Sequence, residues 1–145
     1  MNLNRSKYGV SQTDAGKKKR TSSTGDVFHS IAEREYSDFL CSLGVRYQKQ
    51  VPFEILAGCD SKYGKLRPIT YKADFVIGNI VIDVKGFETP EFKRTKKMFV
   101  GMFPDLHLIL VKKRSSRWDH YEYCLPTKTK KARAMTIHEI IEELK

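Results

Sequence analysis

Apolar and polar residues alternate most clearly between Tyr71 and Gly86, in "YKADFVIGNIVIDVKG". Two runs of β-branched and aromatic residues flank Gly78 and Asn79, a dipeptide suited to a two-residue primed turn, so the segment predicts a β-hairpin. Helical spacing governs the segments on either side. "SIAE", Ser30 to Glu33, has the form of a capping box, and Ala32, Tyr36, Phe39, Leu40 and Leu43 then follow one stripe until Gly44 ends it. Thr89 and Pro90 supply an N-cap and a first helical residue for a second helix. On it Phe92, Phe99, Val100 and Phe103 share one side, and Pro104 marks the stop. "VPFEIL", Val51 to Leu56, predicts a strand before the hairpin, followed by a Gly- and Lys-containing excursion to Pro68 that suits a hairpin or a longer loop. "LHLILVKK", Leu106 to Lys113, predicts a buried strand parallel to the one ending at Lys85, with the helix as crossover. A last helix is expected from Thr136, where Glu139 completes a second capping box and Ile137, Ile140, Ile141 and Leu144 form one stripe. The order αβββαβ(α) predicts an α/β fold, a mixed β-sheet flanked by helices.

Residues 1–27 contain the basic run "GKKKR" and many Ser, Thr and Gly but no apolar period, so they predict a flexible basic arm. Residues 28–145 are then expected to form a single domain. No apolar run approaches the ~20 residues that span a bilayer, and no signal-peptide pattern opens the chain, which predicts a cytoplasmic protein without a membrane partner. Cys41, Cys59 and Cys124 are odd in number and lack paired spacing, so reduced thiols are expected. Charge narrows the partner class. Twenty-seven Lys and Arg stand against 17 Asp and Glu, a net charge of +10, which favours polyanions and above all nucleic acid.

The hairpin then poses a problem in electrostatics. With Gly78 and Asn79 in the turn, Ile77 opposes Ile80, and the same register sets Asp74 against Asp83. Val76 against Val81 and Lys72 against Lys85 share that face, while Ala73, Phe75, Ile80, Ile82 and Val84 take the other. Opposed Cβ atoms are only ~4.5–5.5 Å apart, and like charges there destabilise a sheet. A divalent cation compensates directly, because hard oxygens at that separation converge on one Mg²⁺. The competing reading is a solvated sheet face on which Lys72 and Lys85 neutralise the two acids.

The residues "ADFVIGNIVIDVKG" resemble the signature of the PD-(D/E)XK nuclease superfamily, with Asp74 as first acid, Asp83 as second and Lys85 as the lysine. Ala73 replaces the usual proline. Further segments, "KYGV", "FHSIAE", "QKQVPFEI", "RPITYKADF" and "DVKGFETPEFKRTKKMF", are similar to a phage-encoded endonuclease group within that superfamily, itself distantly similar to phage endonuclease I-type Holliday-junction resolvases. The resemblance implies a restriction-endonuclease-like core and metal-dependent hydrolysis of phosphodiester bonds. It implies that Asp74, Asp83 and the Val84 backbone carbonyl hold Mg²⁺ or Mn²⁺, with Lys85 orienting water or offsetting charge in the transition state. Glu33 matches the acid of the superfamily's first helix and would complete the metal shell; an N3 capping role is equally open, and Glu35 is the neighbouring alternative. Gln50 matches a glutamine expected to touch water or phosphate, or else is a polar strand-entry residue.

The basic residues divide by place. Lys93, Arg94, Lys96 and Lys97 lie on the crossover helix, with Lys96 on the Phe92 side and nearest the cut strand. Lys112, Lys113 and Arg114, the run Lys128 to Arg133, and the arm Lys17 to Arg20 would grip DNA backbone beyond the site. No module for sequence readout is evident, which points to selection by DNA shape. The expectation is a Mg²⁺-dependent DNA endonuclease acting on branched or junction DNA, a homodimer working in the host cytoplasm if phage-encoded. The alternatives are a non-catalytic nucleic-acid-binding protein and a general nuclease or exonuclease.

Overall fold

A computed structural model describes residues 14–123, 133–135 and 137–143. The chain divides into two compact units, Met1–Arg46 and Tyr47–Lys145.

The first unit holds helices α1, Asp14–Lys19, and α2, Ile31–Ser42. Helix α2 starts as its sequence dictates: the Ser30 side chain accepts from the Glu33 amide at 3.1 Å. It ends on Gly44, at φ 68°, with Gly44 N–H donating to Cys41 and Val45 N–H to Leu40, the paired bonds of a Schellman motif. Part of the expected arm is folded, which corrects the reading of residues 14–27. Arg20 is buried, and its guanidinium donates to the Phe28 carbonyl at 2.7 Å and the Gly16 carbonyl at 3.3 Å. Thr21 bridges Val27, and the Ser23 amide donates to Asp38 on α2 at 2.9 Å. Short polar side chains and one guanidinium satisfy this backbone locally, so no apolar period was needed to order it. Lys17, Lys18 and Lys19 remain exposed in the last turn of α1.

The second unit is a mixed α/β structure. Its strands are β1 (Gln48–Leu56), β2 (Cys59–Ser61), β3 (Gly64–Leu66), β4 (Ile69–Ile77), β5 (Ile80–Val84), β6 (His107–Arg114), β7 (Arg117–Glu122) and β8 (Arg133–Met135). Six of them form one sheet in the order β1-β4-β5-β6-β7-β8, and β2 with β3 makes a separate two-stranded ribbon. The hairpin register is the expected one, Ile77 with Ile80 and Val76 with Val81. Strand β6 runs parallel to β5, as expected for a crossover through helix α3, Pro90–Met102. The Thr89 side chain caps α3 by accepting from the Phe92 amide at 3.1 Å. Phe92 and Phe99 of α3 bury into a cluster with Ile55, Tyr71, Ala73, Val81, Leu108 and Leu110, edged by Val100 and Phe103.

Strands β7 and β8 extend the sheet beyond the expected order. The segment Arg114 to Arg117 closes a two-residue hairpin on Ser115 and Ser116, with Ser115 at φ 56°. Helix α4, Ile137–Glu143, forms in the expected tail, while its Thr136 cap, Cys124 and Lys128 to Lys131 lie outside the described residues. Among the described residues, no helix is long and apolar enough to cross a membrane.

Candidate active site

Position 74 breaks the alternation of β4. Ala73 and Tyr71 pack in the α3-side cluster, and so does Val76, which simple alternation would put on the opposite side. The β1–β4 ladder pairs Val51 with Ala73 and Lys49 with Phe75, stepping over Gln50 and Asp74 without losing register. Gln50 has φ 52°, a left-handed conformation that costs a non-glycine residue of order 1 kcal/mol. This local reversal corrects the expected division of faces: Ala73 lies on the same side as Val81, not opposite it.

The two acids come together in a more specific way than a bare cross-strand pair. The β4–β5 ladder stops at Phe75 with Ile82, and the Asp74 carboxylate takes over, Oδ2 accepting the Val84 amide at 2.8 Å. Asp74 thereby reaches the peptide that follows Asp83. Both residues are buried, with 6% and 1% of their surface exposed, so their charges need partners. Asp83 Oδ2 accepts from the Tyr71 hydroxyl at 2.6 Å. Asp83 Oδ1 makes no well-directed hydrogen bond and instead meets the Lys85 ammonium at 2.8 Å, a contact of charge. Lys85 Nζ also sits 4.4 Å above the Phe92 ring, whose π face favours a cation. Lys72, expected on the same face as Lys85, is exposed.

Tyr71 was not foreseen as a site residue. By alternation alone it belongs to the opposite face from Asp74, and only the reversal at Gln50 and Asp74 turns its hydroxyl toward Asp83. Val84 enters through its N–H, whereas the resemblance pointed to its carbonyl. Gln50 lies between the pairs that flank Asp74, half-buried on β1.

The other expected residues fall into three groups. Glu33 lies in the first unit and caps α2 there: its carboxylate accepts from the His29 amide at 3.3 Å and the Ser30 hydroxyl at 3.2 Å. Glu35 pairs with Arg34 at 3.7 Å. Lys96 is largely buried, held by Glu88 at 3.0 Å and 4.7 Å over the Tyr123 ring, an anchored cation instead of one presented to solvent. Burial, then the Glu88 carboxylate, raises the Tyr123 phenol above its ordinary pKa. Lys93, Arg94 and Lys97 are exposed on α3, as are Lys113 and Arg114 on β6, with Lys112 half-buried. Arg114 and Arg117 both approach Asp119, at 3.4 and 3.3 Å.

Among the described residues, no three His, Cys, Asp or Glu side chains gather as a metal-holding group. The donor set in the sheet is two hard carboxylates, one with an oxygen met only by an ammonium, and this fits Mg²⁺ or Mn²⁺ better than a softer ion.

The fold and site define a mixed α/β protein with an Asp–Asp–Lys centre buried at a strand irregularity. Residues 15–119 match the family described as "Protein of unknown function (DUF1064)", and the chain belongs to that family. No curated protein matches it. A solved structure described as "Crystal structure of SSO0001" is similar over 67% of this chain, with 23% identity and a TM-score of 0.46. The chain spans about half the length of that protein, 50% of it being covered.

Proposed function

We propose that the protein is a metal-dependent DNA endonuclease whose centre is Asp74, Asp83 and Lys85. The observation that carries this reading is a carboxylate buried to 1% exposure, with a hydroxyl fixing one oxygen and a lysine ammonium at 2.8 Å from the other. A sheet built only for stability gains little from such a group, because desolvating two charges costs several kcal/mol and an apolar pair of the same volume is commonly as stable.

Asp74 and Asp83 would hold Mg²⁺ or Mn²⁺. When bound, the ion supplies Lewis-acid polarisation of a phosphate and lowers the pKa of water. The Tyr71 hydroxyl fixes the Asp83 rotamer, and the Val84 N–H fixes that of Asp74, so neither carboxylate must reorganise. Lys85, released from Asp83, carries its charge to the phosphate oxygens as negative charge develops on them. The Phe92 ring, 4.4 Å below Nζ, favours a cation beside the two acids. Exposed Lys93, Arg94, Lys97, Lys113 and Arg114 offer sequence-independent phosphate contacts. Branched DNA is the proposed substrate, a homodimer the proposed form.

Plasmid, linear duplex and a synthetic four-way junction are incubated with the protein in Mg²⁺, Mn²⁺ or EDTA, beside Asp83→Asn and Lys85→Ala. Cleavage by wild type in metal, lost in both variants, is the expected result. Equal DNA binding by all three proteins with no cleavage would leave a non-catalytic binding protein. Degradation of linear duplex from its ends would indicate a general exonuclease. Glu33→Gln tests the role that the resemblance assigns to Glu33, with thermal stability measured alongside to separate it from capping.

A further inference from the structure

The excursion between β1 and β4 forms the β2–β3 ribbon, and every residue from 56 to 70 is exposed. That includes Tyr63 at 87%, Leu66 at 50% and Ile69 at 48%. An isolated two-stranded hairpin is marginal in water, so one that buries nothing needs other devices to hold its shape. The ribbon has them. The Ser61 hydroxyl donates to the Gly64 carbonyl at 2.8 Å and accepts from the Tyr63 amide at 3.1 Å, and Gly64 takes φ 119°, a conformation that L side chains rarely adopt. At the foot, Gly58 lies so close to the opposite side that a Cβ would come within 3.0 Å of the Leu66 carbonyl and 3.1 Å of Pro68 Cδ. Among the described residues, nothing packs on this ribbon.

Its chemistry names the partner. Lys62, Lys65 and Arg67 stand against the single carboxylate of Asp60, which opposes Lys65 in the ladder. Lys62 Nζ lies 4.8 Å over the Tyr63 ring at the tip, an aromatic and a cation presented together. Three-residue strands at ~3.4 Å per residue make a projection of ~10 Å. B-DNA's major groove is ≈ 12 Å wide and ≈ 8.5 Å deep and admits a two-stranded ribbon. The A-form major groove of RNA is too narrow for one.

We infer that the β2–β3 ribbon is an arm that enters the major groove of duplex DNA, with Lys62, Lys65 and Arg67 on flanking phosphates and Tyr63 against the groove floor. This deepens the nuclease reading and rests on it for the identity of the polyanion. The ribbon's foot at Ile69 and the acid Asp74 share one strand, five residues apart. At ~3.4 Å per residue that is ~17 Å, about half a turn of B-DNA. The cut is therefore expected about half a helical turn from the base pairs that the ribbon covers.

The test is equilibrium binding to a labelled duplex about two helical turns long, in EDTA so that nothing is cut, over a series of salt concentrations. Wild type is compared with a variant carrying Lys62→Ala, Tyr63→Ala, Lys65→Ala and Arg67→Ala, folding being checked by circular dichroism. The fourfold variant is expected to bind roughly tenfold to a hundredfold more weakly near 0.1 M salt. Its plot of log affinity against log salt should be shallower by about 2.7, at ~0.9 for each of the three cations lost. Unchanged affinity and slope in a folded fourfold variant would overturn the inference while leaving the nuclease reading untouched. Ribbon-dependent binding by a protein that cuts no DNA would sink the nuclease reading and keep the arm. An equal loss of affinity for an A-form RNA duplex would overturn the groove assignment. So would sedimentation showing that the ribbon mutations abolish self-association and leave DNA binding intact.

Discussion

Replacing Lys85 by Met isolates the electrostatics of the site. The ammonium lies 2.8 Å from Asp83 Oδ1, with 20% of the Lys85 side chain and 2% of the Asp83 side chain exposed. Methionine keeps the apolar stem over Phe92 and removes only the charge. Breaking a buried pair costs ~3–5 kcal/mol because the remaining charge is uncompensated. Partial exposure of the lysine and the surviving Tyr71 hydrogen bond reduce this, so the expected loss in EDTA is ~2–3 kcal/mol. If the ammonium occupies the place of a cation, Mg²⁺ should stabilise Lys85→Met more than wild type, since it no longer competes with the lysine. At a hundredfold excess over Kd, binding contributes ~2.7 kcal/mol, enough to restore most of the loss. Asp83→Asn combined with Lys85→Met removes both charges and should lie within ~1 kcal/mol of wild type. Urea unfolding followed by circular dichroism, with EDTA or Mg²⁺, measures all three proteins. A Lys85→Met protein as stable as wild type in EDTA would show that the lysine does not compensate Asp83. Equal Mg²⁺ stabilisation of the two would refute a shared cation position.

Tyr71→Phe keeps the ring against Phe53, Phe92 and Phe99 and removes the 2.6 Å hydrogen bond to Asp83, for an expected loss of ~1.5–3 kcal/mol in chemical unfolding. Gly44→Ala meets no neighbouring atom but forces a side chain to φ 68°, so it should lower stability by ~1 kcal/mol through strain alone. Burial lowers the His120 pKa to about 4, against the raising effect of the Asp119 carboxylate. Below pH 6.5 the unfolded imidazole binds a proton that the folded one refuses. This stability is therefore complete above pH 6.5 and lost as pH falls to about 4, up to ~3 kcal/mol. His120→Gln should flatten that part of the pH profile of the melting temperature.

The sequence by itself determined the elements whose signals are local. A Ser30 hydroxyl three residues before a Glu33 amide, a glycine after the last apolar residue of α2, and a Gly-Asn pair between β-branched runs each act within a few bonds. The structure forms all three as written. Asp74, Asp83 and Lys85 were legible because the turn sets their register. The excursion from Ala57 to Pro68 suited a hairpin or a longer loop, but its composition did not reveal that no described residue would cover it. Only the tertiary structure decided how the acids are held. Strand alternation, projected along β4, sends Tyr71 away from Asp83 and Ala73 away from Val81. The reversal at Gln50 and Asp74 depends on two strands distant in sequence accommodating one another, and no single-strand pattern encodes it. The same limit hid Arg20, whose carbonyl partners lie on both sides of it in a fold without apolar rhythm, and Lys96, drawn from solvent by Glu88 and Tyr123. Short-range bonding can be read from neighbours in the chain; compensation of a buried charge depends on which atoms the fold brings beside it.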